Sequence, residues 1–177
     1  SEEDRLEEEI KRILDDVARV VKRIKEELKR INDELKKVID ESRDHARRVN
    51  DDVRRRGVSE ELLRELKEST ERNDELLKKL LKEAKESTET ITRELDRLLE
   101  ELKKIVDELR ELLKKNISEE LLKELLKRLE ELARRIKKKL EELLREHEKL
   151  LEEIEKALRR SNEEHRKLVE KIKRDAT

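Results

Sequence analysis

The segment that decides the fold of this 177-residue chain is residues 68–92, which read ESTERNDELLKKLLKEAKESTETIT. Leucine doublets at positions 76–77 and 80–81 mark the apolar stripe of a helix. Polar residues continue the same stripe on both sides of the doublets: Ser69, Thr70, Asn73, Ser87 and Thr88. Polar groups on a core-facing stripe must find hydrogen-bond partners, because burial without partners is destabilising. The segment therefore predicts a helix whose neighbours supply polar groups at two levels.

The composition of the whole chain is typical of long helices. Charged residues make up 56% of it, and aromatic residues, Cys, Met and Pro are absent. Low aromatic content with high charge can also indicate disorder. Here 49 basic and 50 acidic residues nearly cancel, and the apolar residues recur with helical spacing. This regularity favours helices or coiled coil over disorder.

The first helix is predicted over about residues 2–55. Its apolar stripe starts at Leu6 and continues to Val53 with a mean spacing of about 3.6 residues, which is the period of a straight α-helix. A strict heptad would have a spacing of 3.5 and a left-handed supercoil. We therefore expect nearly untwisted helices.

Two junctions with the same residue pattern separate three helices of nearly equal length. Gly57 and Asn116 suit the left-handed residue after a helix, and Ser59 and Ser118 suit the N-cap of the next. The later helices are predicted over about 60–115 and 119–174. Loops this short place consecutive helices antiparallel. The expected fold is all-α and up-down-up, in one domain spanning 1–177, either a three-helix bundle or three helices of a four-helix bundle.

The antiparallel register places distant polar residues at common levels. Facing residue numbers should sum to about 115 for the first two helices and about 234 for the last two, so that Asn73 faces Ser42 and Ser161. The first predicted buried layer contains Ser42, His45, Ser69, Thr70, Asn73, Ser161, Asn162 and His165, with Asn50 at the stripe edge nearby. The second contains Asn32, Ser87, Thr88 and His147.

The histidines admit three interpretations. A metal site in a bundle usually uses Glu-x-x-His, but the residues three before the histidines are Ser42, Leu144 and Asn162. A serine nucleophile could pair Ser161 with His165, or Ser42 with His45, but it also needs an orienting acid, an oxyanion hole and a cleft. The third interpretation is a structural network that penalises wrong registers and wrong partners. We predict this network, with no catalytic, cofactor or metal site.

The cap pattern, the missing aromatic and Cys residues, and the Leu, Glu, Lys and Arg filling resemble de novo designed helical bundles with buried hydrogen-bond networks. The resemblance covers all 177 residues and rests on style rather than on a family motif. It implies a synthetic building block with no natural biological activity, and a partner that is another designed helix.

Specific helix–helix association is therefore the expected function, with one partner helix completing a four-helix bundle. The alternative is a self-contained three-helix scaffold with no partner. A designed metal-binding or hydrolytic bundle is a third alternative; the spacing of the histidines disfavours the metal site, and the lack of a visible orienting acid, oxyanion hole and cleft disfavours hydrolysis. The near-zero net charge argues against nucleic-acid binding. No apolar run reaches the roughly 18 residues needed to span a bilayer, and no small-molecule substrate, cofactor or targeting signal is predicted.

Overall fold

The computed structural model of the chain describes residues 2–175, which form three long α-helices. They are α1 (Glu2–Arg55), α2 (Glu60–Lys114) and α3 (Glu119–Asp175). The predicted helix bounds are confirmed to within one residue. Each helix contributes buried residues to a shared apolar core, and the described residues contain no strand. The predicted all-α, up-down-up fold is therefore confirmed.

Both junctions end and restart a helix as their residue types predict. Gly57 has a φ of 69° and Asn116 a φ of 57°, so both adopt the left-handed conformation that ends a helix. The Ser59 Oγ accepts a hydrogen bond from the Leu62 N–H at 3.4 Å. In the second junction the Ser118 Oγ accepts one from the N–H of Leu121 at 3.3 Å. Local chemistry alone thus places the ends of the helices.

Substitutions of the two left-handed residues should change stability in opposite directions. We expect Gly57→Ala to lower the free energy of unfolding by about 1 kcal/mol, because a Cβ disfavours positive φ. Asn116→Gly should raise it by up to about 1 kcal/mol for the same reason. Guanidinium unfolding followed by circular dichroism measures both changes. Two substitutions that shift stability in the same direction would contradict this assignment.

Each helix contributes to two compact units. The first unit combines the described part of residues 1–29 with Ser87–Glu146, and the second combines Arg30–Glu86 with the described part of residues 147–177. The first unit has one continuous apolar core, in which Ile10, Ile24, Leu129, Ile136 and Leu140 are among the most deeply buried residues. The second unit has two separate apolar clusters, described below.

Interhelical contacts confirm the predicted register. In α2 and α3, Ser69 with His165 and Asn73 with Ser161 have residue numbers that sum to 234, as predicted. For α1 and α2, Glu7 and Arg110 form an ion pair, and their residue numbers sum to 117, close to the predicted sum of 115. An antiparallel register of this kind follows directly from the length of the loops.

Candidate functional site

Polar side chains divide the core of the second unit into two apolar clusters. One cluster contains Leu35, Ile39, Leu77, Leu80, Ala84, Ile154 and Leu158. The other contains Val53, Leu66, Val169 and Ile172. Between these residues along α1, α2 and α3 lie the positions of the first predicted polar layer. Three of the polar residues in this region, Asn50, Asn73 and His165, are buried with at most 7% of their surface exposed.

A chain of hydrogen bonds links all three helices around His165. The Ser69 hydroxyl lies 3.1 Å from His165 Nδ1, and His165 Nε2 lies 3.1 Å from Asn50 Oδ1. Asn50 Nδ2 donates to Thr70 Oγ1 at 2.8 Å. Thr70 Oγ1 in turn donates to the Leu66 carbonyl, also at 2.8 Å. The chain runs from α2 to α3, then to α1, and returns to α2. We call these bonded groups the His165 network.

The donors and acceptors of the His165 network determine its proton arrangement. Thr70 uses its only proton on the Leu66 carbonyl, so it must accept from the Asn50 amide nitrogen. The Asn50 carbonyl oxygen therefore faces His165, and Nε2 of the imidazole carries the donated proton. Nδ1 is then the acceptor for the Ser69 hydroxyl. The network is satisfied by a neutral imidazole with its proton on Nε2.

Burial supports the same protonation state. Desolvation lowers the pKa of His165, and the nearby charge of His45 lowers it further. Burial also lowers the pKa of His147, and Glu148 opposes that shift only in part. Both effects on His165 disfavour the imidazolium form.

Two further hydrogen bonds between side chains extend the polar layer of the second unit. The Ser161 hydroxyl donates to Asn73 Oδ1, which confirms the predicted pairing of α2 with α3. The Ser42 hydroxyl donates to Asn162 Oδ1 at 2.9 Å and joins α1 to α3. The predicted pairing of Asn73 with Ser42 is thus replaced by one between Ser42 and Asn162. Because α1 and α3 are parallel and both border α2, either partner lies within a turn of Ser42.

The second predicted polar layer contains a hydrogen bond between α1 and α3. His147 is 2% exposed, and its Nε2 lies 3.1 Å from Asn32 Oδ1, to which it donates. Both residues belong to the second unit. Ser87 and Thr88, assigned to the same layer from the sequence, are half-buried residues of the first unit.

The eight residues predicted for the first buried layer differ in burial: Asn73 and His165 are buried, Ser42, Ser69, Thr70 and Ser161 are half-buried, and His45 and Asn162 are exposed. The side chain of His45 is exposed, and the neighbouring residue Ala46 is buried in its place. Asn162 is also exposed, although it accepts from Ser42. Successive residues of a helix are 100° apart, so a small rotation decides which of two neighbours enters the core. The buried stripe of α1 contains Ile39, Ala46 and Val53, and His45 lies to one side of it.

Asn50 is more central to the polar layer than its position at the edge of the apolar stripe predicts. The sequence predicts Asn50 at the stripe edge, whereas in the structure it is 7% exposed and connects His165 to Thr70. The available signal was its spacing, because Asn50 follows the buried Ala46 by four residues and precedes the buried Val53 by three. These are the separations of neighbours on one face of a helix.

The chemistry available to the His165 network is limited by its place inside helices. The hydrogen bonds run from Ser69 to His165 and then to Asn50. A catalytic nucleophile, its base and an orienting group are connected in the same order. Ser69 lies within α2, however, where backbone N–H groups bond to carbonyls one turn earlier. These donors are not available to stabilise an oxyanion. The hydrogen bonds of this arrangement join residues of three helices.

The described residues contain no group of three or more His, Cys, Asp or Glu side chains arranged to hold a metal ion. In the same part of the chain, no helix has the length and apolar content to cross a membrane. Comparisons of the chain with known protein families, curated proteins and solved structures find no match.

Proposed function

We propose that the chain is a designed helical building block whose activity is specific helix–helix association directed by its buried polar groups. The observation that carries this proposal is the His165 network, in which each hydrogen bond between side chains joins residues of two different helices. A helix displaced along its axis would leave these buried groups without partners. Because an unsatisfied buried polar group costs about 1–3 kcal/mol, the network selects the arrangement of helices that satisfies it.

The partner in this proposal is a single amphipathic helix that completes a four-helix bundle. Its support is the free space along the contact of α1 with α2. In the first unit a groove of about 560 Å³ lies between these helices, and in the second unit a groove of about 490 Å³ lies between them. Amphipathic helices bind grooves of this type through residues spaced three and four apart.

A self-contained scaffold is the second candidate, and the burial of the apolar stripes favours it. Among residues 3–175 the large hydrophobic side chains classed as exposed are Val38, Leu81 and Leu121, at 38–42%. Each of the three lies on a different helix. Isolated exposed apolar residues are normal on the surface of a monomer.

Light scattering after size exclusion distinguishes the two candidates. The chain is measured alone and with synthetic amphipathic helices that differ only in one polar position on the leucine face. Specific association predicts a 1:1 complex with one peptide and weaker binding of its relatives. A monomer that binds none of the peptides would reject the proposal in favour of the scaffold.

The selectivity of binding tests whether the polar groups direct it. A variant with Asn50→Leu, Ser69→Ala, Thr70→Val and His165→Leu replaces the His165 network by apolar groups. We expect this variant to bind the related peptides with similar affinities, because an apolar core penalises wrong partners less. Unchanged discrimination would show that the network does not direct partner choice.

A further inference from the structure

The groove in the first unit is mostly apolar, and we call it the first groove. Its floor is formed by Leu14, Val17, Val21, Leu99, Leu102 and Val106. Leu14 and Leu99 are only half-buried. On α1 the lining runs from Leu14 to Glu26, which corresponds to about 18 Å, or more than three helical turns. The other four floor residues are buried, each at most 8% exposed, so a docked helix would contact mainly Leu14, Leu99 and the exposed Ala18. The first groove therefore has the length that a short helix requires and a narrow apolar floor.

Positive charge predominates at the edges of the first groove. The charged residues that line it are Lys22, Lys25, Glu26, Lys103, Asp107 and Arg110, four cations against two carboxylates. Arg110 is already paired with Glu7, 2.9 Å away. Within residues 2–175, the three lysines form no ion pair, so their charges remain available to a partner.

Other clefts between helices differ from the first groove. In the first unit, ion pairs of Arg12 with Glu130 at 3.8 Å and of Arg23 with Glu141 at 3.0 Å cross from α1 to α3. The groove between α1 and α2 in the second unit is lined by four cations and four carboxylates, and the pair of Arg43 with Asp74 at 3.2 Å crosses it. The first groove combines an apolar floor with a small excess of positive charge, because Arg110 is paired with Glu7 and the three lysines outnumber the two carboxylates, Glu26 and Asp107.

We infer that the first groove is the docking surface for one amphipathic helix, whose leucine face meets the apolar floor and whose flanking positions are acidic. This inference rests on the helix association of the proposed function, but at this groove it assigns the choice of partner to surface charge rather than to the His165 network, whose residues belong to the second unit. Glutamates beside the leucine face would approach Lys22, Lys25 and Lys103 from solvent. Lysines at those positions would be repelled, so charge selects between otherwise equal helices.

The test uses two labelled synthetic peptides of about 25 residues, long enough to form isolated helix in part. They share one leucine face and carry either glutamate or lysine at the flanking positions. Fluorescence anisotropy with the full chain should give tighter binding of the glutamate peptide, by about tenfold at low ionic strength. In about 1 M salt the difference should shrink, because charges are screened beyond about 3 Å.

Ala18 allows the surface to be tested without changing the core. It lines the first groove and is exposed, so Ala18→Gln adds bulk in the groove and none in the interior. We expect Ala18→Gln to weaken the binding of the glutamate peptide by at least about tenfold. Ala18→Ser keeps the side chain small and is the matched control, with an expected change of less than about twofold.

A charge reversal provides the second arm. Lys25→Glu should weaken the binding of the glutamate peptide by about three- to tenfold. Lys29→Glu is its control, because Lys29 is exposed on the same helix but lies outside the lining of the first groove. Circular dichroism of all four variants establishes that each one is folded.

The outcomes separate this inference from the proposed function. Peptide binding that is insensitive to Ala18→Gln, or equal for both peptides, overturns the docking surface and leaves helix association standing. Self-association that Ala18→Gln abolishes would assign the first groove to a second copy of the chain and overturn the proposed partner. Failure of every peptide to bind would reject both proposals.

Discussion

Asn50→Ala should lower the free energy of unfolding by about 2–4 kcal/mol, although it removes one polar side chain of modest size. Asn50 accepts from His165 Nε2 and donates to Thr70 Oγ1. Truncation would leave the His165 N–H without its acceptor and would deprive Thr70 of a donor. The buried His165 N–H that loses its acceptor contributes about 1–3 kcal/mol to the destabilisation, and the half-buried Thr70 contributes less because water can reach it. Guanidinium unfolding followed by circular dichroism measures the change.

Asn162→Ala is the matched control for Asn50→Ala. Asn162 also accepts one hydrogen bond, from Ser42 at 2.9 Å, but its side chain is exposed. Water can replace the lost bond at Ser42, so the expected loss is within about 0.5 kcal/mol. Equal destabilisation by the two substitutions would show that burial of Asn50 does not determine its contribution.

Complete replacement of the His165 network should have a different effect from Asn50→Ala. The variant in which Asn50, Ser69, Thr70 and His165 become apolar leaves no polar partner behind. We expect its stability to equal or exceed that of the parent chain, because desolvated polar networks contribute less than well-packed apolar groups. The network would then contribute to the choice of register and partner more than to stability. A large decrease in the free energy of unfolding of this variant would show that the network contributes mainly to stability.

The chain should unfold at a lower guanidinium concentration at about pH 5 than at about pH 7.5. Burial lowers the pKa of His147 and of His165 in the folded chain, whereas a histidine in the unfolded chain titrates near 6.5. Below that value the unfolded state binds protons more readily than the folded state. The free energy of unfolding therefore decreases as the pH decreases. The decline begins near 6.5 and ends when the pH drops below the lowered pKa values.

The size of this effect depends on how far burial lowers each pKa. One unit corresponds to about 1.4 kcal/mol for each histidine, and the two contributions add if the sites are independent. Paired unfolding curves at the two pH values measure the sum. A variant that carries both His147→Gln and His165→Gln should lose most of the difference in stability between the two pH values.

His45→Gln is the control for the pH experiment. Its side chain is exposed, and its charge is the smaller of the two causes that lower the pKa of His165. We therefore expect most of the pH dependence to remain in this variant. If His45→Gln removed it as fully as the double substitution, desolvation of the buried imidazoles would not be its cause.

Much of the architecture could be predicted from local sequence signals. Gly57 and Asn116 end helices because they tolerate positive φ, and Ser59 and Ser118 begin the next ones through hydrogen bonds to backbone N–H groups. Short loops then make neighbouring helices antiparallel, and matching polar residues such as Asn73 and Ser161 lie at one level. These features depend on a few adjacent residues or on simple counting along the chain.

The composition of the polar network could be predicted only in part. The sequence predicts Ser69, Thr70 and His165 in one layer, and in the structure hydrogen bonds connect them, in part through Asn50. The sequence also predicts His45 in the core and Asn50 at its edge. In the structure Asn50 is buried and His45 is exposed. A wide apolar stripe allows either of two adjacent residues to face the interior, and the sequence of one helix contains no information about its neighbours' side chains.

By itself, the sequence determined three helices, their ends, their order and the register of α2 against α3, because periodicity, capping and loop length act over short distances. Tertiary structure decided the rotation of each helix about its axis. That rotation buries Ala46 and Asn50, turns His45 toward solvent, and brings Ser42 to Asn162. Its physical reason is packing: the rotation that best fills the space between three helices and satisfies the buried hydrogen bonds depends on all three together.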